Sequence, residues 1–71
     1  MVLNNLKFLK ISEAMVDNEL WYSTVVDRES ADWLRTQDTF LVVEIKNYQL
    51  TGFAVFDMHE KIYSMLLLKF Q

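Results

Sequence analysis

The residue best suited to chemistry in this sequence is His59, which stands between Asp57 and Glu60 in the run Asp-Met-His-Glu. Histidine changes its charge near neutral pH without a perturbing environment. A neighbouring carboxylate could orient the imidazole as a general base, or the three groups could hold a cation. Polar residues also collect in turns and at helix ends, where side chains need not converge, and this structural interpretation is the stronger one.

Patterns for other kinds of chemistry are missing from the sequence. With no cysteine and no second histidine, the usual zinc sites cannot be assembled. Gly52 is the single glycine, and one glycine cannot build the loops whose backbone amides cradle phosphate groups. The glycine-flanked serine of nucleophile elbows does not occur. We therefore expect a protein that is not an enzyme and that uses no cofactor or metal.

The composition indicates one small globular domain that covers residues 1–71. The sequence is 52% hydrophobic and 24% charged, and a chain of this length buries only about 60% of the surface that its unfolded form exposes. The net charge is −3 and the seven lysines and arginines are scattered, so we expect no binding to nucleic acid. No signal-peptide pattern, membrane-length apolar run or cysteine occurs, which favours a cytoplasmic protein with no membrane partner.

The spacing of apolar residues predicts an α+β fold, a small antiparallel sheet of about four to five strands with one helix, 28–36, packed on one face. The segment 12–18 is more polar and is predicted to turn the chain. Runs of aromatic and β-branched residues indicate the strands. The predicted strands cover residues 6–11, 20–26, 40–47 and 50–56.

Local signals also predict which side chains of these elements face inward. Asp27 can cap the helix with its side-chain oxygen, and Ala31 and Leu34 have the spacing of the buried side. In the strand 50–56, Phe53 and Val55 lie on one side and smaller residues on the other. In the strand 40–47, three alternate residues are predicted to share the core face: Leu41, Val43 and Ile45.

The C-terminal segment 58–70 is consistent with either a strand or a helix. Asp57 and Glu60 have the spacing of a capping box, and many residues after them are strong helix formers. A helix here would be apolar almost all round, which so small a domain cannot cover unaided. The strand is therefore slightly favoured, and Asp57 to Glu60 would then form the turn of a hairpin.

The predicted sheet is apolar on both faces, yet a single predicted helix is available to cover it. Large apolar side chains left in water each forfeit about 1.5–3 kcal/mol, so a neighbour is expected on the uncovered side. A homodimer is the first expectation, because symmetric dimers are the commonest soluble assembly. The competing interpretation is a C-terminal helix that folds back and closes the core within one chain.

Small size, mild acidity and the missing active site favour a non-enzymatic protein–protein interaction module. It would act as an inhibitor or regulator that masks a surface of a larger protein, as small phage-encoded or accessory proteins do, and that second protein partner is not identified by the sequence. The alternative is a small enzyme or ligand-binding protein with a dimer-interface cleft that uses His59 and Glu60. Aromatic and apolar side chains are the expected interface anchors. The candidate interface residues are Trp21, Tyr22, Trp33, Phe40, Tyr63, Met65 and Leu67.

Overall fold

The computed structural model describes residues 7–70, which form one four-stranded antiparallel sheet and two helices. The sheet order is β1-β2-β4-β3, so β1 and β3 are its edges. The predicted α+β fold is confirmed, while residues 1–6 and Gln71 lie outside the described part. In chain order the elements are β1 Phe8–Val16, β2 Glu19–Val26, α1 Arg28–Leu34, β3 Val42–Tyr48, β4 Phe53–His59 and α2 Glu60–Phe70.

A two-residue turn joins β1 to β2. Asp17 and Asn18 have φ values of 50° and 67°, the left-handed conformation that tight hairpins require and that Asp and Asn tolerate. The predicted turn over 12–18 is therefore too long, because β1 continues to Val16. A β-bulge between Lys10 and Ser12 interrupts the alternation of side chains in this strand. That interruption concealed the second half of β1 from a search for two-residue periodicity.

Helix α1 begins as the sequence indicates. The Asp27 carboxylate accepts a hydrogen bond from the backbone N–H of Ser30 at 2.9 Å, which satisfies one of the free amides of the first turn. Ala31 and Leu34 are buried on the inner side, as predicted. The helix ends at Leu34, two residues before the predicted end at position 36.

The orientation predicted for β3 is wrong. Val42 is the buried residue of the strand, whereas Val43 and Ile45 are 47% and 54% exposed. Leu41, which precedes the strand, is partly buried against the core. A second bulge, between Glu44 and Lys46, changes the face to which alternate residues point. Because β3 is an edge strand, apolar residues on it do not identify its inner face.

The C-terminal segment is a helix, so the favoured strand interpretation is wrong. Ile62 and Leu66 form its buried stripe, while Met65 and Leu68 remain exposed. A helix with apolar residues on most sides is therefore accommodated by covering one stripe and leaving the rest in contact with solvent. The capping box is also not formed, because the backbone N–H of Lys61 donates to His59 Nδ1 at 2.9 Å rather than to Asp57.

Both helices pack on the same side of the sheet. Trp33 of α1 meets Phe70 of α2 with ring centroids 6.0 Å apart, so the two helices form one layer. A single continuous core lies between this layer and the sheet, and within residues 7–70 no helix lies on the opposite side. The core residues are Phe8, Val26, Ala31, Leu34, Val42, Ala54, Phe56, Met58, Ile62 and Leu66.

Candidate interaction surface

The side of the sheet that faces away from both helices is called here the open face. In β4, Ala54, Phe56 and Met58 point to the helices and are buried, whereas Phe53 and Val55 point the other way and are half-buried. Cross-strand partners in an antiparallel sheet share a face, so the register of the strands defines the remaining members. The open face carries Leu9, Ser12, Ala14, Val16, Glu19, Trp21, Ser23, Val25, Val43, Lys46, Tyr48, Phe53, Val55, Asp57 and His59.

Apolar side chains occupy the middle of the open face and one of its ends. Val25 of β2 pairs with Val55 of β4 across the two central strands, and Leu9 of β1 pairs with Val25. Phe53 pairs with Tyr48 at the end beside the β3–β4 turn. These side chains are partly buried by one another. The parts that remain exposed form a contiguous apolar area on the surface of the described chain.

The polar part of the open face consists of two hydrogen-bonded pairs together with Ser12 and Lys46. The Ser23 hydroxyl donates to Asp57 Oδ1 at 2.6 Å across the two central strands. His59 Nε2 lies 3.1 Å from Glu19 Oε1, and the Trp21 ring meets the imidazole edge to face at a centroid distance of 5.9 Å. Because His59 Nδ1 accepts from the backbone, its Nε2 carries the proton and donates to Glu19.

This arrangement of serine, aspartate and histidine does not form a catalytic set. The Ser23 hydroxyl donates to Asp57 and not to His59, so it has no adjacent base. Both ring nitrogens of His59 already have partners. Glu60 is exposed in the first turn of α2, and in residues 7–70 no group of three or more His, Cys, Asp or Glu side chains is placed to hold a metal ion.

The candidate interface residues predicted from the sequence are divided among different parts of the molecule. Trp21 is on the open face, whereas Tyr22 and Tyr63 contact each other on the helix side, with ring centroids 4.5 Å apart. Trp33 lies on α1 and packs against α2. The remaining three are Phe40, 87% exposed before β3, Met65, exposed on α2, and Leu67, partly buried against the core.

Sequence reasoning missed Val25, Phe53 and Val55 as surface residues of a possible interface. A usable signal was present, because Phe53 and Val55 had been placed on one side of their strand, opposite the small residues Gly52 and Ala54. The sequence does not indicate that the side of the strand with the small residues, which includes Ala54, faces the helices. The predicted interface residues share an aromatic or apolar character, which does not report the face of a sheet on which a residue lies.

The two edges of the sheet are poorly suited to pair with another strand. β1 has a bulge at Ile11 and β3 has one at Ile45, and bulges at edges disturb the ladder that an added strand needs. Each edge also carries a lysine beside an aromatic ring. Lys10 Nζ lies 4.8 Å from the centroid of the Tyr22 ring, and Lys46 Nζ lies 5.1 Å from that of Tyr48.

A polar recess of about 310 Å³ lies between α1 and the β3–β4 hairpin, with Arg28, Arg35 and Gln49 in its lining. Arg35 is held by Glu44 through hydrogen bonds of 3.0 and 2.8 Å and by Asp32 through one of 3.0 Å. The hydrogen bond and the charge of Glu44 raise the pKa of Arg35, and the same hydrogen bond lowers the pKa of Glu44. These pairings neutralise much of the positive charge of the recess.

Comparison with protein-family models, with curated proteins and with solved structures finds no significant match for this chain. Across residues 7–70, neither helix has the length and apolarity that a membrane crossing needs. The open face is therefore identified as the candidate interaction surface on its geometry alone.

Proposed function

We propose that this chain is a non-enzymatic protein–protein interaction module, an inhibitor or regulator that masks a surface of a larger protein with its open face. The observation that carries the proposal is the position of both helices on one side of the sheet. Trp21, Val25, Phe53 and Val55 are left on the other side, on the two central strands. Contiguous apolar surface of this kind is typical of interaction sites.

The energetics of the open face support binding of a protein surface. Apolar area removed from water contributes about 25 cal/mol per Å², and aromatic anchors such as Trp21 dominate the affinity of many interfaces. Ser23 and Asp57 already satisfy each other, as do His59 and Glu19. Fewer new hydrogen bonds are then required when these polar groups are covered.

The alternative of a small enzyme that uses His59 and Glu60 has less support. A general base needs a free nitrogen within reach of a substrate proton, and both nitrogens of His59 are engaged. Absence of cysteine is consistent with work in a reducing compartment, so the cytoplasm is the proposed location.

A comparative capture experiment tests the proposal. Wild type, Val55→Glu and Leu68→Glu are immobilised and exposed to extract of the source organism; Leu68 is 86% exposed on α2, away from the open face. The proposal expects a protein that is retained by wild type and Leu68→Glu and lost with Val55→Glu, because a carboxylate in an apolar contact is left unpaired. Identical retention by all three proteins would contradict it.

A further inference from the structure

The open face has the size of a small symmetric interface. Strands about 4.8 Å apart and residues that rise about 3.3 Å along each strand give the four-stranded sheet a face of roughly 500 Å². Two such faces in contact remove about 1,000 Å² in total, which is the lower limit for a specific interface and typical of weak complexes. The estimated area therefore also indicates that the association between two copies is weak.

We infer that the open face of one chain packs against the open face of a second copy, which gives a two-layer sandwich of sheets with the helices outside. This inference rests on the proposed function and concerns regulation of the same site: the second copy covers the open face when the larger protein is absent, and the two compete for it. The expected dissociation constant is about 1–100 µM, because an interface at this size limit has little surplus free energy after association entropy is met.

The shape of the open face suits a copy of itself. Two identical sheets have the same twist, so they pack face to face at about 30° with side chains interdigitated. The pairs Ser23–Asp57 and Val25–Val55 are small and lie between the aromatic residues Trp21 and Phe53. A two-fold axis near the small pairs brings aromatic ends over aromatic ends in either relative direction of the strands.

Pairing through the edges is the competing route to a dimer, and the structure disfavours it. Both edge strands are bulged, as described above, and each carries a lysine. Face-to-face contact uses the central strands, whose register has no shift between Trp21 and Val26.

The charge of Asp57 makes the inference specific. In a symmetric contact both Asp57 carboxylates lie within one interface of limited area, and their like charges weaken association. Asp57→Asn is therefore expected to tighten self-association by about tenfold, a gain of the size that one unfavourable charge contact accounts for. A basic heterologous partner predicts the opposite, because the same substitution removes an attractive charge.

The two tryptophans provide a matched pair of reporters. Trp33→Phe leaves Trp21, on the open face, as the single indole, whereas Trp21→Phe leaves Trp33, which packs against Phe70 on the helix side. Fluorescence is measured over a dilution from about 1 mM to about 1 µM, a range that spans the expected dissociation constant. The emission of Trp33→Phe should move to longer wavelength on dilution, and that of Trp21→Phe should not change.

Sedimentation over the same range measures the mass directly. Wild type should change from twice the chain mass of 8.5 kDa to the chain mass as it is diluted. Val55→Glu should weaken association at least about 100-fold, since it adds a second carboxylate beside Asp57 in an apolar contact. Leu68→Glu, on exposed α2, should associate as wild type does. Circular dichroism confirms that each variant is folded.

A chain mass of 8.5 kDa at every concentration, with constant Trp21 emission, would overturn self-association. Loss of association in Leu68→Glu and not in Val55→Glu would overturn it as well, since the contact would then be on α2. Either result leaves the masking function to be decided by the capture experiment, whose signal depends on Val55 whether or not the chain dimerises. A monomer that still loses its captured protein with Val55→Glu would refute the dimer alone.

Discussion

Both faces of the sheet carry large apolar side chains, but the helices cover only one of them. In β4, Phe56 and Met58 are buried under the helices, while Phe53 and Val55 of the same strand are half-buried on the open face. Both sides are apolar, so the alternation of the strand does not say which side is the core. The helices decide this, because they bring Leu34 and Leu66 to one side only. Apolar pattern in a strand thus predicts burial only when the position of the second layer is known.

The largest expected difference between the faces comes from two phenylalanines three positions apart. Phe56 is 2% exposed beneath the helices, and Phe56→Ala should lower the free energy of unfolding by about 3–5 kcal/mol through lost transfer and a new cavity. Phe53→Ala should cost about 1 kcal/mol in the monomer, because its ring is partly hydrated already. Urea denaturation at low protein concentration measures both values.

The two phenylalanine substitutions should differ in a second way when the protein concentration is raised. The loss with Phe53→Ala should grow with protein concentration if the open face is an interface, since assembly contributes to apparent stability. The loss with Phe56→Ala should stay constant. If both substitutions lower the free energy of unfolding by an equal and large amount at low protein concentration, the two faces are equally buried within one chain.

The N-terminal cap of α1 stabilises one of the two helices that cover the sheet. Asp27→Ala removes the acceptor of the Ser30 N–H and should lower the free energy of unfolding by about 1 kcal/mol. Asp27→Asn should recover most of this loss, because an amide oxygen can accept the same hydrogen bond. Thermal unfolding followed by circular dichroism gives both values, and full stability in the alanine variant would show that the cap contributes nothing.

Two neighbouring residues of β2, one on each face, carry hydroxyl groups. Removing the buried hydroxyl is expected to raise the stability, which is the opposite sign to the substitutions above. Thr24 is fully buried on the helix side, and within residues 7–70 its Oγ1 has no hydrogen-bond partner, whereas the Ser23 hydroxyl donates to Asp57 on the open face. Thr24→Val keeps the shape and removes the unpaired group, so it should raise stability by about 1 kcal/mol. Ser23→Ala should give no gain. Denaturant midpoints of the two variants, measured side by side, check this, and a destabilised Thr24→Val would contradict it.

The smallest expected effect concerns Glu44, which joins β3 to α1 through Arg35. The hydrogen bond from Arg35 lowers the pKa of Glu44, so the pair stabilises the fold above the unfolded pKa of about 4.3 and the effect disappears as the pH falls through the folded value. Glu44→Gln should therefore lower stability by about 0.5 kcal/mol at pH 7, with a smaller difference from wild type near pH 3. A difference that is constant with pH would contradict the linkage.

Features set by neighbouring residues could be predicted from the sequence, and features set by distant ones could not. The Asp27 cap and the inward residues Ala31 and Leu34 depend on spacing within one helix, and they are confirmed. The bulge at Ile11 shifts the alternation by one residue, which made the predicted β1 too short. The predicted face of β3 is wrong already at Val43, before the bulge at Ile45, because this edge strand carries apolar residues on its exposed side. No local signal marks such an insertion at an exposed edge.

The choice between strand and helix at the C-terminus, and the location of the candidate site, depend on which layer covers which face. Ile62 and Leu66 have helical spacing, but the apolar residues around them hid this stripe. Trp21 and Tyr22 are adjacent in sequence and lie on opposite sides of the sheet, so aromatic content alone could not group the candidate interface residues. The position of the helices separates the two residues, because both helices lie on the side of Tyr22.

The direct connection between β4 and α2 links the sheet to the layer of helices. One nitrogen of the His59 ring holds the first turn of α2 through the N–H of Lys61, and the other faces Glu19 beside Trp21. A contact that rotates this ring would remove an acceptor from the start of the helix, with no hinge between strand and helix to absorb the movement. A contact at this end of the open face therefore reaches the start of α2 through the His59 imidazole as well as through the peptide chain and the core.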